Sequence, residues 1–332
     1  MITVENLGKS FKKTIKQPGL RGSFKSLVKP KYEVFEAVRN LNFEIPEGEI
    51  FGFIGANGAG KSTTIKMMTG ILTPTSGSCL INNQNPQKDR KNYVKNIGVV
   101  FGQRTQLWWD LPLQETYQVL KEIYDIPMDR FRSRIEFLNE VLELQDFIKD
   151  PVRTLSLGQR MRADIAASLL HSPKVLFLDE PTIGLDVAVK DNIRKAILQI
   201  NQEEKTTVIL TTHDLNDIEL LSHRIFMIDK GEKMFEGSVN ELKQTFGKIH
   251  EVDFELVSEL EYSKLDYKND FDGVEVERDN SKVKVRFDAT KIVAPELLQY
   301  TMNRAAVKDI SVKDADIEEI IRRFFRKEIV ND

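Results

Sequence analysis

The sequence predicts an α/β protein built on a largely parallel sheet, followed by a small α+β domain. Short apolar runs at residues 49–54, 97–101, 175–180, 207–210 and 225–228 alternate with helical stretches, the grammar of parallel strands joined by helices. A glycine-rich segment, Gly55-Ala56-Asn57-Gly58-Ala59-Gly60-Lys61-Ser62-Thr63, lies between the first of these runs and a helical one. After about residue 240 apolar and polar residues alternate instead, as they do in half-buried strands.

A chain of 332 residues is long enough for one large domain and a smaller one. The net charge of -3 offers no overall reason to expect nucleic acid as a partner. With Cys79 as the single cysteine there is no internal disulfide, which fits a reducing compartment. No run of 18 apolar residues predicts a membrane span. The start, Met1-Ile2-Thr3-Val4-Glu5-Asn6, lacks the basic-then-apolar pattern of a signal peptide. If such a chain works at a membrane, another chain must supply the span.

In order, residues 2–7 read as a short strand. Residues 8–32 carry Lys9, Lys12, Lys13, Lys16, Arg21, Lys25, Lys29 and Lys31 and no acid, and Pro18, Gly19, Gly22 and Pro30 interrupt them. An exposed loop with one helical turn at 24–28 is the expectation. Such a charge run is ordinarily a solvated face; contact of the basic loop 12–31 with anionic lipid or a partner is the alternative. Phe11 could stack on adenine or simply pack. Residues 38–45 resume a strand, Pro46-Glu47-Gly48-Glu49 turns, and Pro74-Thr75-Ser76-Gly77 turns again into a strand at 78–81.

Residues 113–149 are helical in character, with Leu120, Ile123 and Tyr124 on one face and Phe137, Leu138, Val141, Leu142 and Leu144 on another. Leu155-Ser156-Leu157-Gly158-Gln159 opens a helix through residue 170, with Ser156 or Gly158 placed to cap it. In the tail, Asp279-Asn280-Ser281 turns between strands at 274–278 and 282–287. A helix at 295–303, a strand near 310–312 and an amphipathic helix carrying Ile317, Ile320, Ile321, Phe324 and Phe325 follow.

The glycine-rich segment matches G-x-x-x-x-G-K-[ST] in its strand–loop–helix context. Its backbone amides can surround phosphate oxygens, and the helix N-terminus adds partial positive charge there. Lys61 would reach the β- and γ-phosphates and the Ser62 hydroxyl would sit on Mg²⁺. Asp179-Glu180 ends an apolar strand, where Asp179 would hold Mg²⁺ through water and Glu180 could orient or deprotonate the attacking water. His213 ends the next strand after two threonines, near where the γ-phosphate would lie. Gln103 ends a strand at the same sheet edge, where an amide can touch Mg²⁺ or the water.

This set of residues resembles the nucleotide-binding subunit of an ATP-binding-cassette transporter. The phosphate loop is 55–62, the Q-loop glutamine Gln103 (Gln106 is its rival), the signature 155–159, the Mg²⁺-binding and catalytic carboxylates Asp179 and Glu180, the D-loop Gly184-Leu185-Asp186 and the switch histidine His213. Leu157 stands where the family signature, LSGGQ, has glycine. The resemblance implies a P-loop NTPase cassette over residues 1–240, with a helical subdomain at about 113–165 and an accessory α+β domain at 241–332. It implies ATP and Mg²⁺ as ligands, and nucleotide contacts from Phe11, Gly55, Ala56, Asn57, Gly58, Ala59, Gly60, Lys61, Ser62 and Thr63. From a second, identical cassette, Ser156, Gly158 and Gln159 would add theirs. It also implies integral membrane permease subunits as partners and a peripheral place on the cytoplasmic face of the membrane. The Gly-Ala-Asn-Gly-Ala-Gly-Lys-Ser-Thr-Thr run, the basic loop and the closing Asp-Ile-Glu-Glu-Ile-Ile helix resemble the exporter branch. A non-transport cassette ATPase acting on ribosomes or DNA, and an importer subunit, are the competing expectations.

Overall fold

Strands that are apolar at every residue need cover on both faces, and the first part of the chain is arranged to give it. The computed structural model describes residues 1–14, 32–102, 104–212, 214–313, 317, 318, 320 and 321. Two compact units result, Met1–Gly237 and Ser238–Asp332.

In the first unit the order is β1 (Ile2–Thr14), β2 (Tyr32–Ile45), β3 (Ile50–Ile54), α1 (Lys61–Met68), β4 (Ser76–Ile81), β5 (Ile97–Phe101), α2 (Leu113–Ile123), α3 (Met128–Val141) and α4 (Leu157–Leu169). There follow β6 (Val175–Asp179), α5 (Val187–Glu204), β7 (Thr207–Thr211), α6 (Leu215–Leu221), β8 (Arg224–Asp229) and β9 (Glu232–Gly237). Six strands form one sheet in the order β5-β6-β7-β3-β8-β9. It is parallel except for β9, which returns antiparallel on β8. Every residue of β3 and β7 is buried. A second, antiparallel sheet, β2-β1-β4, packs through Phe43 onto Phe51, Phe53 and Phe226 of the first. Tyr117, Leu138, Phe147, Met161 and Ile165 bind α2, α3 and α4 into a further core.

Three expectations change. The loop expected at 8–32 is strand at both ends, because β1 pairs with β2 as far as Lys12↔Val34, Lys13↔Glu33 and Thr14↔Tyr32. A ribbon exposed at its tip carries lysines without cost, so its charge reads as loop. Residues 15–31, with the turn expected at 24–28, lie outside the described residues. The helical stretch at 113–149 breaks where Asp125 takes φ 54 and Pro127 follows, and Ile123, read on one face with Leu120 and Tyr124, is exposed while Leu120 is buried. Strand β9 was not expected at all; its residues are largely polar, as suits a sheet edge.

The second unit runs α7 (Val239–Phe246), β10 (Ile249–Leu256), β11 (Glu275–Asp279), β12 (Lys282–Asp288), α8 (Ala294–Arg304) and β13 (Val307–Lys313). Its sheet is antiparallel in the order β11-β12-β10-β13. The alternation read in the sequence is the pleat itself: Val252, Phe254, Leu256, Val283, Val285 and Phe287 are buried, against Leu297 and Tyr300 of α8. Ile317, Ile320 and Ile321 are buried too, whereas Phe324 and Phe325 lie outside the described residues.

Because each unit has its own core, a chain ending at Gly237 is expected to fold, to bind ATP within a few-fold of the full chain and to dimerise less well. Circular dichroism and a nucleotide titration check this. Loss of all folded signal would mean that the tail belongs to the main core.

Candidate functional site

The glycine-rich loop leaves the buried end of β3 and turns directly into α1. Its glycines answer to close packing as well as to dihedral angle. Gly60 has φ 114, and a Cβ there would come 2.7 Å from the Ala37 carbonyl oxygen; one at Gly55 would come 2.5 Å from that of Ile228. The turn closes with Ala59 N–H donating to the Ala56 carbonyl at 3.0 Å, and it leads straight into the first turn of α1, where a helix leaves N–H groups without intrahelical partners. Lys61 folds back: its Nζ donates to the Gly55 carbonyl at 2.6 Å. Burial pulls its ammonium down from the ordinary lysine value, against the attraction of Glu180 and Asp179.

A cavity of about 700 Å³ opens over residues 55–63, with Phe11, Phe35, Ala37, Glu180 and Ile183 completing its lining. Phe11 and Phe35 are cross-strand partners in β1 and β2, both exposed. Sequence reasoning named Phe11 and missed Phe35, Ala37 and Ile183. The β-prone run 32–38 held the signal for Phe35, but its place beside Phe11 depends on strand register.

At the far side of the loop Asp179 ends β6, paired in register with Thr211 of β7. Its Oδ1 accepts from Ser62 Oγ at 3.2 Å and from Thr211 Oγ1 at 2.6 Å. Thr211 was also missed, for the contact is between neighbouring strands. Glu180 takes φ 58, uncommon for a residue with a side chain. Its N–H is held by the Thr211 carbonyl at 3.0 Å and hydroxyl at 3.1 Å. A hydroxyl and a carboxylate meeting beside the phosphate loop are hard oxygen donors, and they fit a Mg²⁺ ion that completes its shell with phosphate oxygens and water.

Gln103 and His213 lie outside the described residues. Their neighbours are anchored: Gly102 N–H donates to the Asp179 carbonyl at 2.8 Å, and Thr212 Oγ1 donates to Asp217 Oδ2 at 3.1 Å. Asp217, fully buried, also takes the Arg194 guanidinium at 2.6 Å and the Thr182 hydroxyl at 2.5 Å. This ties the end of β7 to the segment after Glu180. Gln106 gives its side-chain amide to the Asp164 carbonyl at 3.2 Å.

The signature segment is built as a helix start. Ser156 Oγ accepts from Gln159 N–H at 3.2 Å and Gln159 Oε1 accepts from Ser156 N–H at 2.9 Å, a reciprocal cap of about 1 kcal/mol. Gly158 is buried, and a Cβ there would meet Val189 Cγ1 at 2.7 Å. Leu157 is exposed. Asp186 caps α5 by a single bond, accepting from Val189 N–H at 3.0 Å. Ser156, Gly158 and Gln159 are not brought to the cavity over the phosphate loop of their own chain.

Residues 38–183 match the family model described as ABC transporter. The chain is 31% identical over 215 residues to the ABC transporter ATP-binding protein NatA of Bacillus subtilis, covering 65% of this chain and 87% of that one. It is 33% identical to the linearmycin resistance ATP-binding protein LnrL of Bacillus subtilis (66% of this chain, 70% of that one). It is 34% identical to the methionine import ATP-binding protein MetN 2 of Enterococcus faecalis (61% and 60%). It spans 26% of the length of the Dictyostelium discoideum ABC transporter A family member 1. Among solved structures, a dimeric post-hydrolysis state of the ATP-binding cassette MJ0796 with ADP and phosphate superposes with TM-score 0.60 at 27% identity. That match covers 72% of this chain and 99% of that one.

Proposed function

We propose, from the premise that this chain belongs to the ABC transporter family as an ATP-binding protein, that its ATP hydrolysis drives export through a separate membrane permease. The observation that carries the hydrolytic part is the hydrogen bond from Ser62 to Asp179 beside the phosphate loop, with the next residue, Glu180, in the lining of the phosphate-loop cavity. Phe11 and Phe35 flank the adenine. The amides of 55–63 and the Lys61 ammonium hold the phosphates, and Lys61 exchanges its bonds to the Gly55 and Ala56 carbonyls for phosphate oxygens. Ser62 and Asp179 would hold Mg²⁺, Asp179 through water, and the ion would supply neutralisation of charge developing on the phosphates. Glu180 takes a proton from the attacking water; His213 and Gln103, the other catalytic residues that the resemblance implies, lie outside the described residues.

Ser156, Gly158 and Gln159 do not line the cavity of their own chain, and in this reading they act on the nucleotide of a second copy in a head-to-tail dimer. MJ0796 is dimeric in its solved form, which supports this reading. Among the described residues no helix is long and apolar enough to cross a membrane; in this reading the span belongs to a separate permease, with the cassette peripheral on its cytoplasmic face, as the family resemblance implies. The permease, not this chain, selects what is carried. The resistance relative favours export; the methionine-import relative favours the opposite direction, and transport assays in vesicles of known orientation decide between them.

Docking on the permease is assigned to residues 107–112. Leu107 is buried, while Trp108 and Trp109 are 40% and 47% exposed, so neither ring plugs the core. Aromatic anchors of this kind cost about 2 kcal/mol or more when truncated, roughly thirtyfold in affinity. Trp108→Ala and Trp109→Ala are therefore expected to keep the basal ATPase of the isolated subunit and to lose its stimulation by reconstituted permease. If both variants lose fold and basal activity together, the tryptophans are core residues and the docking assignment is wrong.

A further inference from the structure

A carboxylate taken out of water is costly unless it is hydrogen-bonded, and α4 carries one, Asp164, that is 5% exposed. Its Oδ1 accepts from Thr105 Oγ1 and from Gln106 N–H, each at 3.0 Å. Gln106 returns a bond from Nε2 to the Asp164 carbonyl at 3.2 Å, and Thr105 Oγ1 also accepts from Leu107 N–H at 3.1 Å. Burial pushes the Asp164 carboxyl up to about 6, opposed by the bonds from Gln106 and Thr105 and by the nearby Arg160 charge. Four positions earlier, and so on the same helix face, the Arg160 guanidinium lies 4.6 Å from the centre of the Trp109 ring. Arg160 also donates to the Leu155 carbonyl at 3.2 Å. A narrow cavity of about 280 Å³ runs along this seam, lined by Arg104, Thr105, Arg160, Asp164 and Ile183 among others. The segment 104–109 is thus fastened to α4 at Asp164 and again at Arg160, and α4 begins at the Ser156 cap.

We propose that Asp164 and Arg160 form a clasp that makes segment 104–109 and helix α4 move as one piece, so that displacement of the segment is delivered to Ser156 and Gly158. Asp164 is a positioning residue: it acts through Thr105 and Gln106 and touches no substrate. The role of the clasp in turnover rests on the reading that Ser156 and Gly158 engage a second cassette's nucleotide. The clasp itself does not. What the clasp uses is an acceptor oxygen, so Asp164→Asn retains it and Asp164→Leu removes it. Thr105→Val removes one of its bonds with little change of shape.

The test has a nucleotide-free part and a nucleotide-bound part. In the nucleotide-free full chain, amide hydrogen exchange at Gln106, whose N–H is bonded to Asp164, is expected to speed up at least tenfold in Asp164→Leu and in Thr105→Val, and to stay near the parent rate in Asp164→Asn. Unchanged exchange in the Leu and Val variants, or Asn behaving like Leu, overturns the clasp. The second part uses tryptophan fluorescence, since the chain's only tryptophans, Trp108 and Trp109, sit in the segment. In a Glu180→Gln background, MgATP is expected to change the emission. Asp164→Leu and Thr105→Val are expected to cut that change at least fivefold while calorimetric MgATP affinity holds. A parent that binds MgATP and dimerises on a sizing column without any emission change overturns the coupling. A parent that binds without dimerising shows instead that the head-to-tail reading fails, while the exchange result on the clasp stands.

Discussion

Glu180→Gln is expected to abolish ATP turnover, to leave ATP binding intact and to trap an ATP-bound dimer. Glu180 lines the phosphate-loop cavity, and the amide keeps its size while losing the ability to take a proton from water. General-base contributions run to about 10²–10⁴ in rate, so turnover should fall at least a hundredfold. Lys61→Ala should act differently. It removes the ammonium now held between the Gly55 and Ala56 carbonyls, and so weakens nucleotide binding itself. ATPase rate, nucleotide affinity and sizing-column mass separate the two. Normal turnover by the Gln variant would remove Glu180 from the catalytic role.

Gly102→Ala is expected to cost nearly as much activity from outside the cavity. The backbone at Gly102 runs against the end of β6, bonded to the Asp179 carbonyl at 2.8 Å. A Cβ there would fall on the Glu180 carbonyl oxygen well inside contact distance, with the Glu180 carbonyl carbon at 2.9 Å and the Asp179 oxygen at 3.1 Å. These atoms are backbone and cannot swing aside, so β5 and the Asp179-Glu180 pair must separate. A displacement of about 1 Å at a catalytic group can cost roughly a hundredfold in rate, and overpacking costs about 1–3 kcal/mol in stability. The expected result is a folded protein with a lowered melting temperature, near-normal ATP affinity and turnover reduced by about two orders of magnitude. A variant with wild-type turnover would show that the strand ends tolerate the methyl group and that Glu180 is not held by this contact.

The phosphate loop, the Asp179-Glu180 pair and the Ser156 cap were legible in the sequence because each is a local device. Its residues are consecutive or one helical turn apart, and the hydrogen bonds that shape it, such as the Ser156–Gln159 pair, stay within that turn. The sheet was legible for a similar reason: a strand buried on both faces is apolar throughout, as β3 and β7 are. Burial on one face alternates, as β10 and β12 do.

What the sequence could not decide are relations between segments far apart in the chain. The pairing of Phe11 with Phe35 follows from the register of β1 on β2, and a one-residue slip would turn the ring to the other face. Thr211 reaches Asp179 only because β7 lies beside β6. Gly102 reads as an extra residue after an apolar run until Glu180 is found where its side chain would be. Gln106 reads in the sequence as a rival for Gln103, and only the packing of its segment on α4 brings its amide to the Asp164 carbonyl. Local pattern and hydrophobicity therefore determined which chemistry this chain carries and where along it. Strand register and backbone close approach, set by packing between distant segments, decided which residues stand around that chemistry.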